Sequence, residues 1–374
     1  MIEFTETQKA IQATFREFSE KHVKPMAARI DEEKKFPIGL FREAGDLGFF
    51  GMRYPENAGG SGLDIVSYTL AVIELAKGSL SLAAVCTMQS LMATYFLYRF
   101  GDEEVRGYFS EALKGNKIGA ICMTEPNAGS DLMAVKTMVN VQDDGYVLNG
   151  QKTWITSAPV ADFFTVLSRT DNSEQLSIFF VPAKLEGILI GRNIEKMGVR
   201  GSVTSEVGFN NVKLPKNYLL GEIGEGTKCL REILAEIRIM TAALAIGVGT
   251  AAYEEALNYA KTRVQFGKPI GKFQAIQMKF ADMAVQLETA RNYVFHAAYL
   301  SDKNLPRQKE AMIAKLYASE IANSICDEAS RVLASYGYAT DYNIERYFRD
   351  ARFTLIGGGT SEILKINIAK ELGL

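Results

Sequence analysis

With 374 residues the chain has room for one large or two to three ordinary domains and an ample core. Hydrophobic and charged fractions of 47% and 23% are those of a soluble globular protein, and a net charge of −2 leaves no basic surplus for nucleic acid or an anionic membrane. Cys86, Cys122, Cys229 and Cys326 lie far apart and read as small buried hydrophobes in a reducing compartment. His22 and His296 are the only histidines, so a His-based metal cluster or triad has no support and no metal is expected. Neither a secretory signal nor an uninterrupted apolar run of about 18 residues is apparent, which points to a cytoplasmic protein without a membrane span.

Thr5 and Gln8 fit a capping box, with Ile11, Phe15 and Phe18 at helical spacing behind them. A second helix is expected over about 37–47, opened by Pro37 and closed by Gly48. Residues 54–62 form a Gly- and Asn-rich loop, two apolar helices fill roughly 64–99, and Asp102 caps a short helix before Gly115. Then the texture turns β-like: Lys117–Met123, Ala134–Val141, Tyr146–Leu148, Phe163–Leu167, Leu176–Val181 and Val207–Phe209 are short strand candidates. Asp143-Asp144-Gly145 and Asn149-Gly150 read as turns between them. After a Gly-rich connector at 221–226, long helical patterns return, with breaks near Gly267–Gly271, Asn304–Pro306 and Gly337. The expectation is a mostly α protein with an inserted β domain, divided 1–116, 117–224 and 225–374.

Four segments carry chemistry. Met123-Thr124-Glu125-Pro126-Asn127-Ala128-Gly129-Ser130-Asp131 follows a strand and offers hydroxyls and free backbone N–H groups to a heteroaromatic ring or phosphate. Gln151-Lys152-Thr153-Trp154-Ile155-Thr156 holds the only Trp. The segment from Arg263 through Gln265, Phe266, Ile270, Phe273 and Gln274 to Ile276 combines a guanidinium fork with groups able to bond and pack an adenosine. Near the C-terminus, Ile356-Gly357-Gly358-Gly359-Thr360-Ser361-Glu362-Ile363 runs three glycines into a helix start, with Thr360 as N-cap. A formal GxGxxA at Gly247–Ala252 lies inside a long helical pattern with no preceding strand, so close helix packing explains it better than a dinucleotide fold.

These four segments, with Arg346-Tyr347-Phe348-Arg349-Asp350-Ala351-Arg352 before the glycines, resemble the acyl-CoA dehydrogenase family over the whole chain. The resemblance implies three domains, N-terminal helical, middle β-barrel and C-terminal four-helix bundle, with FAD between the last two and a second subunit completing its site. It places Met123, Thr124, Gly129, Ser130, Trp154, Ile155 and Thr156 against the flavin. It puts Arg263, Gln265, Phe266, Ile270, Phe273, Gln274 and Ile276 on the adenosine-pyrophosphate side, largely across a dimer interface, and Thr360 and Glu362 near the cofactor. Ser130 and Arg238 match positions that contact the substrate's carrier arm, and Gly359 lies beside the substrate. Where the family commonly has Gln and a Leu-Gly-Gly turn near the FAD phosphates, this chain has Arg331 and Leu333-Ala334-Ser335, and Arg331 is expected to pair with the pyrophosphate. Homodimer or homotetramer, an acyl-CoA or acyl-carrier-protein thioester and an electron-transfer flavoprotein are the partners the resemblance implies.

One departure concerns the chemistry. The family usually carries a glutamate two residues before the Thr as the base that removes the substrate α-proton, and here that residue is Gly358. Some branches place it immediately before the Arg that matches Arg238, where this chain has Ile237. Glu236 is next to that position but turned about 100° around a helix, which makes it a weak candidate base and reads as a solvated carboxylate. Since desaturation of a thioester needs a positioned base, three readings follow. The first is a flavin oxidoreductase on an acyl thioester with non-standard chemistry, as in relatives that make hydroxy- or methoxymalonyl-carrier-protein extender units for polyketides. The second is a flavin-dependent monooxygenase on the same fold. The third is a non-catalytic flavoprotein.

Overall fold

The computed structural model describes residues 3–171 and 173–374. Helix α1 (Glu6–Phe18) starts with the expected reciprocal cap, Gln8 N donating to Thr5 Oγ1 and Thr5 N to Gln8 Oε1. It is followed by α2 (Ala27–Glu33), α3 (Ile38–Asp46), α4 (Ile65–Gly78), α5 (Leu80–Met88), α6 (Tyr95–Phe100) and α7 (Glu103–Leu113). Asp64, Ser79 and Asp102 cap three of these through their side chains. Gly48 adopts φ +79° where α3 gives way to the next segment, the left-handed stop its position suggested.

The strands are β1 (Gly119–Cys122), β2 (Met138–Gln142), β3 (Gly145–Thr156), β4 (Phe163–Thr170), β5 (Ser173–Pro182), β6 (Ile188–Ile190) and β7 (Thr204–Pro215). They form one sheet in the order β1-β4-β2-β3-β7-β6, with β5 on the other side of β4. Among the described residues the ladder stays open, so the expected barrel is an unclosed sheet. Asp143-Asp144 does turn β2 into β3. Asn149-Gly150 does not turn: it lies inside β3, where pairing with β7 slips between Leu148 and Gly150. Gly150 sits at φ +147° with Thr137 Oγ1 only 2.6 Å from where a Cβ would stand, so the glycine serves a bulge against a neighbouring strand.

Helices α8 (Gly226–Thr262), α9 (Gln274–Asp302) and α10 (Gln308–Leu333) then pack together, with a small hairpin of β8 (Val264–Gln265) and β9 (Lys268–Pro269) between the first two. Helices α11 (Ile344–Ala351) and α12 (Ser361–Glu371) complete the chain. Helix α8 is the spine, packed on α4, α9 and α10. A Cβ on Gly247 would stand 2.5 Å from Ala76 Cβ, so this glycine lets α8 and α4 touch, as the sequence reading held. The stretches Leu80–Phe100 and Gly226–Thr262 are long and apolar enough by mean hydropathy to cross a bilayer, but 83% of each apolar window is buried inside the fold.

One cluster ties the three parts together. Arg349 of α11 donates to Asp31 of α2 at 2.6 Å and to the carbonyl of Met197 at 3.0 Å, while Val199 N donates to Asp350 Oδ1 at 2.5 Å. Burial pushes the Asp350 carboxyl up to about 7 despite the Val199 bond and the nearby Arg346 and Arg349.

Candidate active site

The loop after β1 is held by a buried ion pair. Lys152 Nζ donates to Glu125 Oε1 at 2.9 Å and to the Met123 carbonyl at 3.0 Å, and Lys152 is wholly buried. Glu125 also accepts from Lys136 N at 2.7 Å and Thr137 N at 2.9 Å. Burial raises the Glu125 carboxyl, but these bonds outweigh it and hold it below its ordinary value. Burial lowers the Lys152 ammonium, with Glu125 opposing. Thr153 N closes the weld by donating to the Thr124 carbonyl at 2.9 Å. Sequence reading did not single out this pair. A lysine and a glutamate at alternate strand and loop positions look like surface residues, and only a fully charged pair inside an apolar layer would have marked them.

The weld fixes an exposed face. β3 slips against β7 between Lys152 and Ile155, and Trp154 in the slip has φ +58° with its side chain 56% exposed. A bulky residue in the left-handed region is strained by roughly 1–2 kcal/mol, a cost that a bulge accepts when it re-aims a side chain. Gly129 and Ser130 are exposed beside Met123 and Thr124, which are half-buried, as is Thr156; Ile155 points into the core. An exposed indole beside a rigid loop with free hydroxyls fits the planar ring of FAD.

Arg263, Gln265, Phe266, Ile270, Phe273, Gln274 and Ile276 gather on the β8–β9 hairpin and the start of α9. Phe266 is 93% exposed and packs edge-on to Phe273 at 6.1 Å. Arg263 lies over the Tyr336 ring at 5.6 Å and borders a cavity of about 530 Å³ shared with Glu255, Tyr259, Leu333 and Tyr342. Among the described residues no hydrogen bond or ion pair joins this hairpin to the Thr124–Thr156 loops. Arg331 is exposed and paired with Asp327 at 2.7 Å, one turn back on its own helix, and Ser335 is exposed nearby. Ala334 holds φ +53° where the resemblance expects glycine.

On the substrate side, Gly358 and Gly359 have φ +72° and +106°, and Thr360 caps α12 by accepting from Ile363 N. Lys315 Nζ, fully buried, donates to the Gly359 carbonyl at 2.6 Å, and Ser361 donates to Glu320 at 2.6 Å. Burial pulls the Lys315 ammonium down to about 8. Glu362 is exposed, its carboxyl lowered by the backbone N–H and the Thr360 hydroxyl at the helix start. Thr241 of α8 faces this loop, its Oγ1 2.9 Å from where a Cβ on Gly358 would be. Ile237 is buried with its carbonyl accepting from Thr241, so neither base position of the family carries a carboxylate. Glu236 is not solvated as its sequence suggested. Its carboxylate is bound to the buried Arg53, a partner 183 residues away in the chain.

A helical domain, an open β sheet and a helical bundle, with a rigid loop beside an exposed indole, are the architecture expected of a flavin-dependent acyl-thioester dehydrogenase. Sequence comparison agrees: residues 5–115, 120–212 and 224–373 match the N-terminal, middle and C-terminal domains of acyl-CoA dehydrogenases. The chain is 56% identical over 373 residues, 99% of each chain, to benzylmalonyl-CoA dehydrogenase of Aromatoleum aromaticum. Butyryl-CoA dehydrogenase of Megasphaera elsdenii superposes with a TM-score of 0.97 at 35% identity, covering all of both chains. A prolyl acyl carrier protein oxidase superposes with a TM-score of 0.95 at 30% identity over the full length of both. The chain belongs to the acyl-CoA dehydrogenase family. It is an enzyme of acyl thioesters, and its cofactor is FAD.

Proposed function

We propose that the protein oxidises a 2-(arylalkyl)malonyl thioester with loss of CO2, giving the α,β-unsaturated arylacyl thioester. The observation that carries this is Gly358: the position of the family's base is a glycine, and Ile237 leaves the alternate position empty too. A malonyl thioester has a carboxylate on its α-carbon. When the bond to that carboxylate breaks, its electron pair stays on the α-carbon as a thioester enolate, the species that a base otherwise generates by taking a proton. FAD, when bound against Trp154, Gly129 and Ser130, would supply the acceptor for the hydride that leaves the β-carbon. Atoms balance as substrate giving CO2, unsaturated thioester and reduced flavin, and no protein base takes part. The name of the 56%-identical relative, benzylmalonyl-CoA dehydrogenase, refers to a substrate of this kind.

The chain's own residues bind and orient. Trp154, Gly129 and Ser130 hold the flavin face, with Met123, Thr124, Ile155 and Thr156 behind them. Arg263, Gln265, Phe266, Ile270, Phe273, Gln274 and Ile276 on the exposed hairpin take the adenosine side in a second subunit, with Arg331, Ser335, Thr360 and Glu362 at the edges. Gly358 puts no side chain against Thr241, whose Oγ1 lies 2.9 Å from where a Cβ would stand, so the branched α-carbon meets no carboxylate there. A carrier-protein thioester is the second reading, favoured by the likeness to the prolyl carrier-protein oxidase.

Anaerobic titration of the holoenzyme tests the proposal. Benzylmalonyl-CoA is expected to bleach the flavin and 3-phenylpropanoyl-CoA to bind without bleaching it. Equal bleaching by both would sink the proposal. The same acyl group on a carrier protein separates the two thioester readings, and electron-transfer flavoprotein is the acceptor to supply for turnover.

A further inference from the structure

Arg238 is 7% exposed, so the guanidinium is desolvated over most of its surface. Among the described residues it forms no ion pair and no hydrogen bond, and its Nε is buried without a partner. A buried, unpaired cation costs several kcal/mol and persists where something else supplies the counter-charge. Burial pulls this guanidinium down to about 10, with no carboxylate opposing.

Its surroundings indicate what is missing. Arg238 and Thr241 are three residues apart on α8 and share one face. Thr241 abuts Gly358. Lys315, which holds the Gly359 carbonyl, feels the charge of Arg238. The carboxylates nearby are engaged or outside: Glu320 accepts from Ser361, Glu236 is bound to Arg53, and Glu362 is exposed. Gly358 thus has Thr241 against it and Lys315 on the next carbonyl, with Arg238 three residues from Thr241 on the same face of α8, and the carboxylates named here are engaged elsewhere or exposed.

We propose that Arg238 is the receptor for the α-carboxylate of the substrate, and so the residue that selects malonyl over simple acyl thioesters. This rests on the function proposed above and deepens it. Arg238 anchors the group that will leave and so sets which α-carbon bond stands ready to break. A salt bridge to a carboxylate stabilises it before CO2 departs, so the contribution is selection and orientation, not acceleration through charge. Arg238 is thus a positioning residue, and a glutamate at 358 would compete with the substrate for it.

The test uses holoenzyme and reads binding through the flavin spectrum, with benzylmalonyl-CoA in single turnover and 3-phenylpropanoyl-CoA as the ligand lacking the carboxylate. Arg238→Gln is expected to raise half-saturation by benzylmalonyl-CoA roughly ten- to hundredfold, the size of a charge-assisted hydrogen bond. Binding of 3-phenylpropanoyl-CoA, which shares the carrier arm, should weaken by clearly less, so that the preference for the malonyl ligand falls, and Arg238→Lys should recover part of that preference. Equal weakening of both ligands, or of neither, overturns the proposal. Wild-type enzyme gives a reading that needs no variant. The methyl half-ester of benzylmalonyl-CoA should bind at least about tenfold more weakly than the acid, and equal binding would overturn the assignment. If benzylmalonyl-CoA fails to bleach wild-type flavin at all, the function itself falls. If it bleaches and Arg238→Gln leaves the ligand ratio unchanged, only the anchor falls.

Discussion

The flavin-facing loop and the substrate-facing loop are built on opposite principles. At 123–131 a buried Lys152–Glu125 pair, two backbone donors to Glu125 and the Thr153–Thr124 bond remove freedom and keep the family's pattern. At 356–361 glycines keep side chains off the face of Thr241, and Arg238, three residues from Thr241 on α8, has no partner among the described residues. Where the cofactor's demands are fixed, the chain spends charge on rigidity. On the proposed function, the substrate loop lacks the carboxylate and Arg238 is left for the ligand to neutralise.

The largest effect on that contrast should come from Lys152→Met. It strands a buried carboxylate, so about 3–5 kcal/mol of stability should go. FAD content and thermal unfolding check it; a variant that unfolds like wild type with full FAD would show that the weld is dispensable. Next is the pH response of the domain clamp. Asp350 is pushed up to about 7 from 3.8 in the folded chain. Between those values the folded state keeps a proton that the unfolded state has lost, so stability falls as pH rises from about 4 to about 7. Urea unfolding across that window should show the fall, and Asp350→Asn should flatten it.

Gly358→Glu probes the glycine loop itself. The φ of +72° and the 2.9 Å approach of Thr241 Oγ1 should cost roughly 1–2 kcal/mol. Benzylmalonyl-CoA oxidation should drop as the new carboxylate takes Arg238, while 3-phenylpropanoyl-CoA begins to bleach the flavin. No gain with the simple thioester would mean that more than the base separates the two chemistries. The smallest effect is expected at Ala334→Gly, where relief of φ +53° should stabilise by about 0.5–1 kcal/mol. Flavin affinity there reports whether the departure from a glycine turn matters to the adenosine side.

Local rules made much of the fold legible. The Thr5–Gln8 box, Asp102 and the Gly48 stop act within a few residues, and the structure keeps them. Asn149-Gly150 misled because the same dipeptide that favours a hairpin turn also suits a bulge, and the choice depends on the distant strand β7. β6 escaped notice because three residues are too few for alternation to show. The flavin motifs were visible as contiguous segments. The pairs that decide the site's character were not: Lys152–Glu125 spans 27 residues and Arg53–Glu236 spans 183. An unpaired Arg238 is a property of what surrounds it, which a linear sequence does not display.

The most direct measurement is a single anaerobic turnover of holoenzyme with benzylmalonyl-CoA labelled in the free carboxyl. One labelled CO2 is expected for each flavin reduced, with the label absent from the unsaturated product. Flavin reduction with the labelled carboxyl retained in the product would contradict the proposed function.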